Sequence, residues 1–270
     1  MAPRALPASK LRARRKKRRL LLVMVMVGVL LLLLLALVGS LWLPLMRISS
    51  VQIAGTSSVS VAAVEESVRA DLKGTRAGVL PSDNAFLYNS AAIQKHLLAT
   101  FPVFESVTVS RKNLTTIEVT AVERSAAALW CGESLANPSP CYLLDKTGSA
   151  YAPAADFSGD TYVKYYGPVS STTVRQFMSP EQFSALSAFV ASLKAQGAAG
   201  KPVQAVVDGA EGRITFENDF TLMYSLADNG GDVLERFVLA LQSEPFAKHT
   251  VADFLYLDLR FGDKLYYRLK

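Results

Sequence analysis

Histidine and cysteine are scarce: the 270-residue chain has two of each. A zinc site draws three or four such side chains together at close spacing, and neither H-E-x-x-H nor a C-x-x-C pair occurs. His96 and His249 lie far apart in sequence and read as an exposed helix residue and a turn residue. The phosphate-cradling G-x-x-x-x-G-K and the nucleophile elbow G-x-S-x-G are also missing. Acid is absent from residues 1–19, which hold nine basic side chains: Arg4, Lys10, Arg12, Arg14, Arg15, Lys16, Lys17, Arg18 and Arg19. Without those nine, 20 Lys and Arg stand against 23 Asp and Glu, so the formal charge of +6 belongs to the tail. A polyanion-binding domain carries its positive charge on the fold itself. Nucleic acid is therefore not an expected partner, and no cofactor, metal or small-molecule substrate is expected either.

What the sequence does have is a long uncharged run. Residues 20–43, LLLVMVMVGVLLLLLLALVGSLWL, span 24 positions without a charge. As a helix this covers about 36 Å, enough for a hydrocarbon core of about 30 Å with some tilt. Trp42 falls at its far end, where an amphipathic ring suits the interface. The basic block precedes the run and only Arg47 follows closely, which predicts a cytoplasmic N-terminus and an extracytoplasmic remainder. The rival is a cleaved signal peptide, whose apolar stretch is shorter and ends in a small-x-small site; no A-x-A follows the run, and Val38-Gly39-Ser40 is a weak candidate for one. Outside the membrane a disulfide between Cys131 and Cys141 is chemically permitted. In CGESLANPSPC the segment Asn137-Pro138-Ser139-Pro140 supplies turn residues for it, and two unpaired thiols are the alternative. Residues 1–19 are expected to be disordered, because such a charge run cannot bury itself.

Beyond the run the pattern is strand, helix, helix, strand, strand. ISSVQIAG alternates and stops at Gly55. Ser60 caps a helix with Val61, Val64, Val68 and Leu72 on one face. Ser90 is the expected cap of a second helix, which Pro102 stops. VTVSRKNLTTIEVTAVER, residues 107–124, then reads as a hairpin: Val107 and Val109 share one face, Ile117, Val119 and Ala121 another, with the turn at residues 111–113. In the second half, LLDKTGSAYA is a strand pair around a Lys-Thr-Gly turn and TYVKYYG a further strand. Ser179-Pro180-Glu181-Gln182 is a capping box with Pro at the first helical position, leading a stripe of Phe183, Leu186, Val190 and Leu193 that Gly197 closes. Strands VQAVVD, RITFE and FTLMYSL follow. Asp232 is expected to open a helix burying Leu234, Phe237, Val238 and Leu241. FLYLDLR and KLYYRLK, joined by Phe261-Gly262-Asp263, form a closing hairpin whose last strand is a natural sheet edge.

One motif pair invites an enzymatic reading. Ser82-Asp83-Asn84 and Lys146-Thr147-Gly148 match two of the three signatures of penicillin-binding proteins and β-lactamases. That chemistry needs a serine nucleophile with Lys three residues on, and no serine here has one. The two motifs read instead as a loop and a strand turn, and the chain as a non-enzyme.

The strand-helix-helix-strand-strand unit behind a single span resembles the POTRA domain of the FtsQ/DivIB cell-division family. The residues that carry the likeness are Val51-Gln52-Ile53-Ala54-Gly55, Asn84, Phe86, Ile93, Leu97, Pro102, Val107, Val109, Arg111, Leu114, Ile117, Val119, Glu123-Arg124, Ala127 and Trp130. In the second half, Leu143-Leu144-Asp145-Lys146-Thr147-Gly148 and Asp258-Leu259-Arg260 resemble the family's β domain. The resemblance implies an α+β, membrane-anchored protein: a basic cytoplasmic tail (1–19), a transmembrane helix (20–43), a POTRA-like domain (47–124) and a mixed β-rich domain with helices (125–270). It implies a non-enzymatic scaffold at the division septum that recruits and links FtsB- and FtsL-type bitopic coiled-coil proteins. The expected partner-binding residues are Phe254, Tyr256, Lys264, Leu265, Tyr266, Tyr267 and Arg268, aromatic side chains being common anchors of such contacts. The alternatives are a secretion or assembly chaperone that uses a POTRA unit, and a cell-wall enzyme.

Overall fold

The computed structural model describes residues 8–76, 78–155, 161–169, 175–262 and 264–270. Arg4 of the basic tail and Asp263 of the closing turn lie outside the described residues. The chain divides into two compact units, Met1–Glu123 and Arg124–Lys270, and its architecture is mixed α+β.

The first unit opens with α1 (Ala8–Ser40), one helix long and apolar enough to cross a membrane by length and composition. The expectation of disorder through residue 19 is corrected for residues 8–19, which are helical. Lys and Arg are good helix formers, and extending an existing helix avoids the unfavourable nucleation step. At the other end the helix stops at Ser40 rather than residue 43. Residues 41–43 turn, and Pro44 starts a short 3-10 helix, Pro44–Met46. β1 (Ser50–Ala54) and α2 (Val61–Leu72) follow. The Ser60 side chain caps α2 by accepting from the Ala63 amide, and Val64, Val68 and Leu72 are buried, while Val61 in the first turn stays exposed. A small hairpin, β2 (Thr75–Arg76) with β3 (Leu80–Pro81), occupies what the sequence shows only as a loop. α3 (Ser90–Thr100) is capped by Asn89, not Ser90: the Asn89 side chain accepts from the Ala92 amide. Asn is an equally good cap.

β4 (Phe104–Arg111) and β5 (Thr116–Glu123) form the expected hairpin, and β1 joins parallel to β5, giving the order β1-β5-β4. Val107, Val109, Ile117, Val119 and Ala121 meet the two helices in one core. Gly55 closes β1 at φ +81°, and a Cβ there would lie 2.0 Å from the carbonyl oxygen of Ala121, so no other residue fits without moving β5.

Glu123 ends β5 by accepting from the amides of Ser57 (2.7 Å) and Ser58 (2.8 Å) and from both hydroxyls. Burial pushes its carboxyl up, but these four donors outweigh that and hold it at about 2 against the usual 4.5. A depressed carboxylate stabilises the fold above its unfolded value, and the contribution is lost as pH falls through the folded one. The thermal midpoint of the first unit, followed by Trp42 fluorescence, should therefore drop between pH 4.5 and about 2. Glu123→Gln should show a lower midpoint at neutral pH and a flatter profile across that window.

The second unit runs β6 (Ala128–Ser134), β7 (Asn137–Leu144), β8 (Ser149–Pro153), β9 (Lys164–Tyr166), β10 (Arg175–Gln176), α4 (Pro180–Gln196), β11 (Pro202–Asp208), β12 (Glu211–Phe216), β13 (Thr221–Ser225), α5 (Gly230–Gln242), β14 (Phe254–Phe261) and β15 (Lys264–Leu269). Among the described residues its strands make a ten-stranded sheet in the order β10-β8-β7-β6-β9-β11-β12-β13-β14-β15. The buried residues of α4 and α5 join Trp130, Ile214, Leu222 and Leu257 in one large core. The opposite face carries a small cluster of Leu129, Cys131, Tyr166 and Val206. Alternation along β6 sorts Trp130 and Cys131 to these two faces.

Two local readings are corrected. The β6–β7 turn lies at Leu135 and Ala136, while residues 137–140 are extended in β7, as X-Pro sequences favour. Cys131 and Cys141 of these strands are joined as a disulfide with a Cα–Cα distance of 4.1 Å. α5 is capped by Asn229 rather than opened by Asp232, and it buries Val233, Phe237 and Ala240.

Candidate partner-binding edge

β15 is the terminal strand of the large sheet. It pairs antiparallel with β14 on one side, and no described strand lies on the other. A strand in that position presents unpaired N–H and C=O groups to solvent, a template for another strand. Every residue from Lys264 to Leu269 is exposed. Alternation puts Leu265, Tyr267 and Leu269 on one face and Lys264, Tyr266 and Arg268 on the other. The Tyr267 ring lies 5.8 Å from Phe254 and 5.9 Å from Phe246, whereas Tyr266 meets Phe261 at 5.3 Å.

The edge is held at both ends. The Lys270 amide donates to Asp253 O at 2.9 Å, and its Nζ donates to Asn218 O at 2.9 Å. At the turn, Arg236 Nη1 donates to Gly262 O at 3.1 Å. Beneath it, the buried Asp258 accepts from the Arg260 amide (3.0 Å), Nε (2.9 Å) and Nη2 (2.6 Å). Burial pushes the Asp258 carboxyl up, yet the Arg260 bonds prevail and keep it below its ordinary value. Arg260 also pairs with Glu211 of β12, tying β14 to the sheet.

Between α5 and the closing hairpin lies a groove of about 290 Å³, lined by Leu239, Ala240, Leu259 and Leu265 together with Arg236 and Lys264. The structure therefore gathers Lys264, Leu265, Tyr266, Tyr267 and Arg268 on one exposed strand. Tyr256 is half-buried on β14. Phe254 is fully buried and stacked on Phe246 at 3.9 Å, so it props the edge from the core and offers no surface. Sequence reading missed the exposed Leu239 and Phe261. Starting α5 at Asn229 would have put Leu239 on its outer face.

The enzyme-like motifs have structural work. Asp83 pairs with Arg47 at 2.7 Å and Asn84 is buried. Lys146-Thr147-Gly148 is the β7–β8 turn, folded around Asp145. Among the described residues no group of His, Cys, Asp and Glu could hold a metal ion. His96 bonds Asp71 on the surface, and His249 packs edge-on against Phe254. No family model matches the chain, and no curated protein matches it.

Proposed function

We propose that the chain is a non-enzymatic, membrane-tethered scaffold that binds other proteins by strand addition at β15. The observation that carries this is an exposed edge strand, rich in aromatic side chains and pinned at both ends, on a ten-stranded sheet. A pre-ordered edge accepts a partner strand at little conformational cost. The tether is α1, with its N-terminus in the cytoplasm and both folded units outside. The resemblance to FtsQ/DivIB proteins, with a POTRA-like first unit and a β domain after it, supports a place in the bacterial division machinery. The partner strand then comes from an FtsB-type bitopic coiled-coil protein, and recruitment falls to the first unit.

Tyr266→Pro removes a backbone donor and disturbs the edge. Capture of an FtsB-type partner by the purified full chain should weaken by about 2 kcal/mol or more, some 30-fold in Kd, with Trp130 fluorescence unchanged. Full capture with the fold intact refutes the edge assignment. Fluorescent fusions test the cellular reading: mid-cell rings support division, and a uniform envelope signal points to the chaperone class.

A further inference from the structure

The last four carbonyls of a helix have no partner within it, and water serves them when a helix ends in solvent. At the end of α1 the chain serves them itself. Leu37 O accepts from Ser40 Oγ at 2.7 Å, and Val38, Gly39 and Ser40 O accept from the amides of Leu41, Trp42 and Leu43 at 3.2 Å each. Leu41 O accepts from Asn84 Nδ2 at 2.9 Å, a side chain with no exposed surface. Further on, Leu43, Pro44 and Met46 O are taken by the amides of Met46, Arg47 and Ala85. Closing this many carbonyls internally leaves the backbone at the exit with little need of water.

The side chains around this exit are apolar and point outward: Trp42, Leu43 and Leu45 from the exit itself, and Val79 from the β2–β3 turn. Trp42 Nε1, the one polar atom of that ring, donates to Val79 O at 3.1 Å, which fixes the turn at the level of Trp42. Residues 20–40 cover about 31 Å as helix, the thickness of a hydrocarbon core. Trp42, Leu43, Leu45 and Val79 then fall in the next layer, at the headgroups, where Trp is favoured.

We propose that these four side chains form a collar seated among the lipids of the outer interfacial layer. Asn84 and Trp42 lock the collar to the first unit, so that unit stands on the bilayer at a fixed height instead of swinging on a flexible stalk. The collar rests on the reading of α1 as a membrane tether. Asp83 and Asn84, the loop that imitates an enzyme motif, supply the clamp, with Asp83 gripping Arg47 just beyond the exit.

The test uses the full chain in phospholipid nanodiscs, with a nitroxide on Val79→Cys or, separately, on Leu30→Cys, read by collisions with oxygen and with a water-soluble nickel chelate. The Leu30 label should report the bilayer centre. The Val79 label should report interfacial depth, with strong loss of nickel collisions relative to a label in water. Adding Asn84→Ala should shift the Val79 label toward water. A lipid-embedded Leu30 with a water-exposed Val79 overturns the collar and leaves the tether standing. A water-exposed Leu30 overturns the tether and the collar with it. An unchanged Val79 depth in the Asn84→Ala protein overturns the clamp.

Discussion

Phe254→Ala should cost the second unit about 3–5 kcal/mol, the range for emptying a buried aromatic site. The ring has no exposed surface, stacks on Phe246 at 3.9 Å, and touches Tyr267 and His249 at 5.8 and 5.9 Å. Tyr267 belongs to β15, Phe246 to the short 3-10 helix Phe246–Lys248, and His249 caps that helix. Collapse around the cavity is limited because Phe254 is bonded into the β14–β15 ladder, where it pairs with Leu269. Urea unfolding of the full chain in detergent, read by Trp130, should show the loss. Partner capture should fall as well, since Tyr267 loses its support although Phe254 itself never reaches the surface. Phe254→Leu should recover most of the stability and the capture together. Recovery of stability without capture would mean that the aromatic stack, and not the filled volume, shapes the edge.

The second large effect is expected at Asp145. Its carboxylate accepts from the Thr147 amide (2.8 Å), Thr147 Oγ1 (2.7 Å) and the Ser149 amide (3.1 Å), and it pairs with Arg124. Burial pushes the group up, but Thr147, Ser149 and Arg124 hold it below the usual carboxylate range. Asp145→Ala strips the β7–β8 turn of its acceptor and leaves a partly buried guanidinium without this counter-charge. Removing one partner from such a pair typically costs about 3–5 kcal/mol. Asp145→Asn keeps an oxygen for the turn amides and should lose less, which separates turn geometry from charge. The wild-type contribution is present at neutral pH and fades as acid protonates Asp145, and both variants should lack that acid-dependent step. Urea titrations at neutral and acidic pH, again read by Trp130, check it.

Sequence made local features plain and left long-range ones hidden, for identifiable reasons. The Ser179 capping box and the Gly197 stop of α4 are readable because cap chemistry acts within one turn. The start of α5 was not, since Gly230 and Gly231 follow its Asn229 cap and mask the first turn. β9 is legible as a strand but not as the three-residue link that runs parallel to both β6 and β11, because those pairings join segments tens of residues apart. At the edge, alternation sorts residues 264–268 to two faces but does not foretell that both faces are exposed, which comes from β15 lying outermost in the sheet. Alternation fails for β14, where Leu257, Asp258 and Leu259 are buried in succession. Leu257 and Leu259 enter the core shared with α4 and α5, while Asp258 is held by the Arg260 guanidinium. Phe254 and Tyr256 therefore could not be assigned to core or surface from their spacing.

The double anchoring of Lys270 works as a two-point clasp on β15. Its amide and Nζ both grip neighbouring carbonyls, so a substitution that removes the ammonium, Lys270→Ala, leaves the Asp253 bond as the remaining clasp at that end of β15.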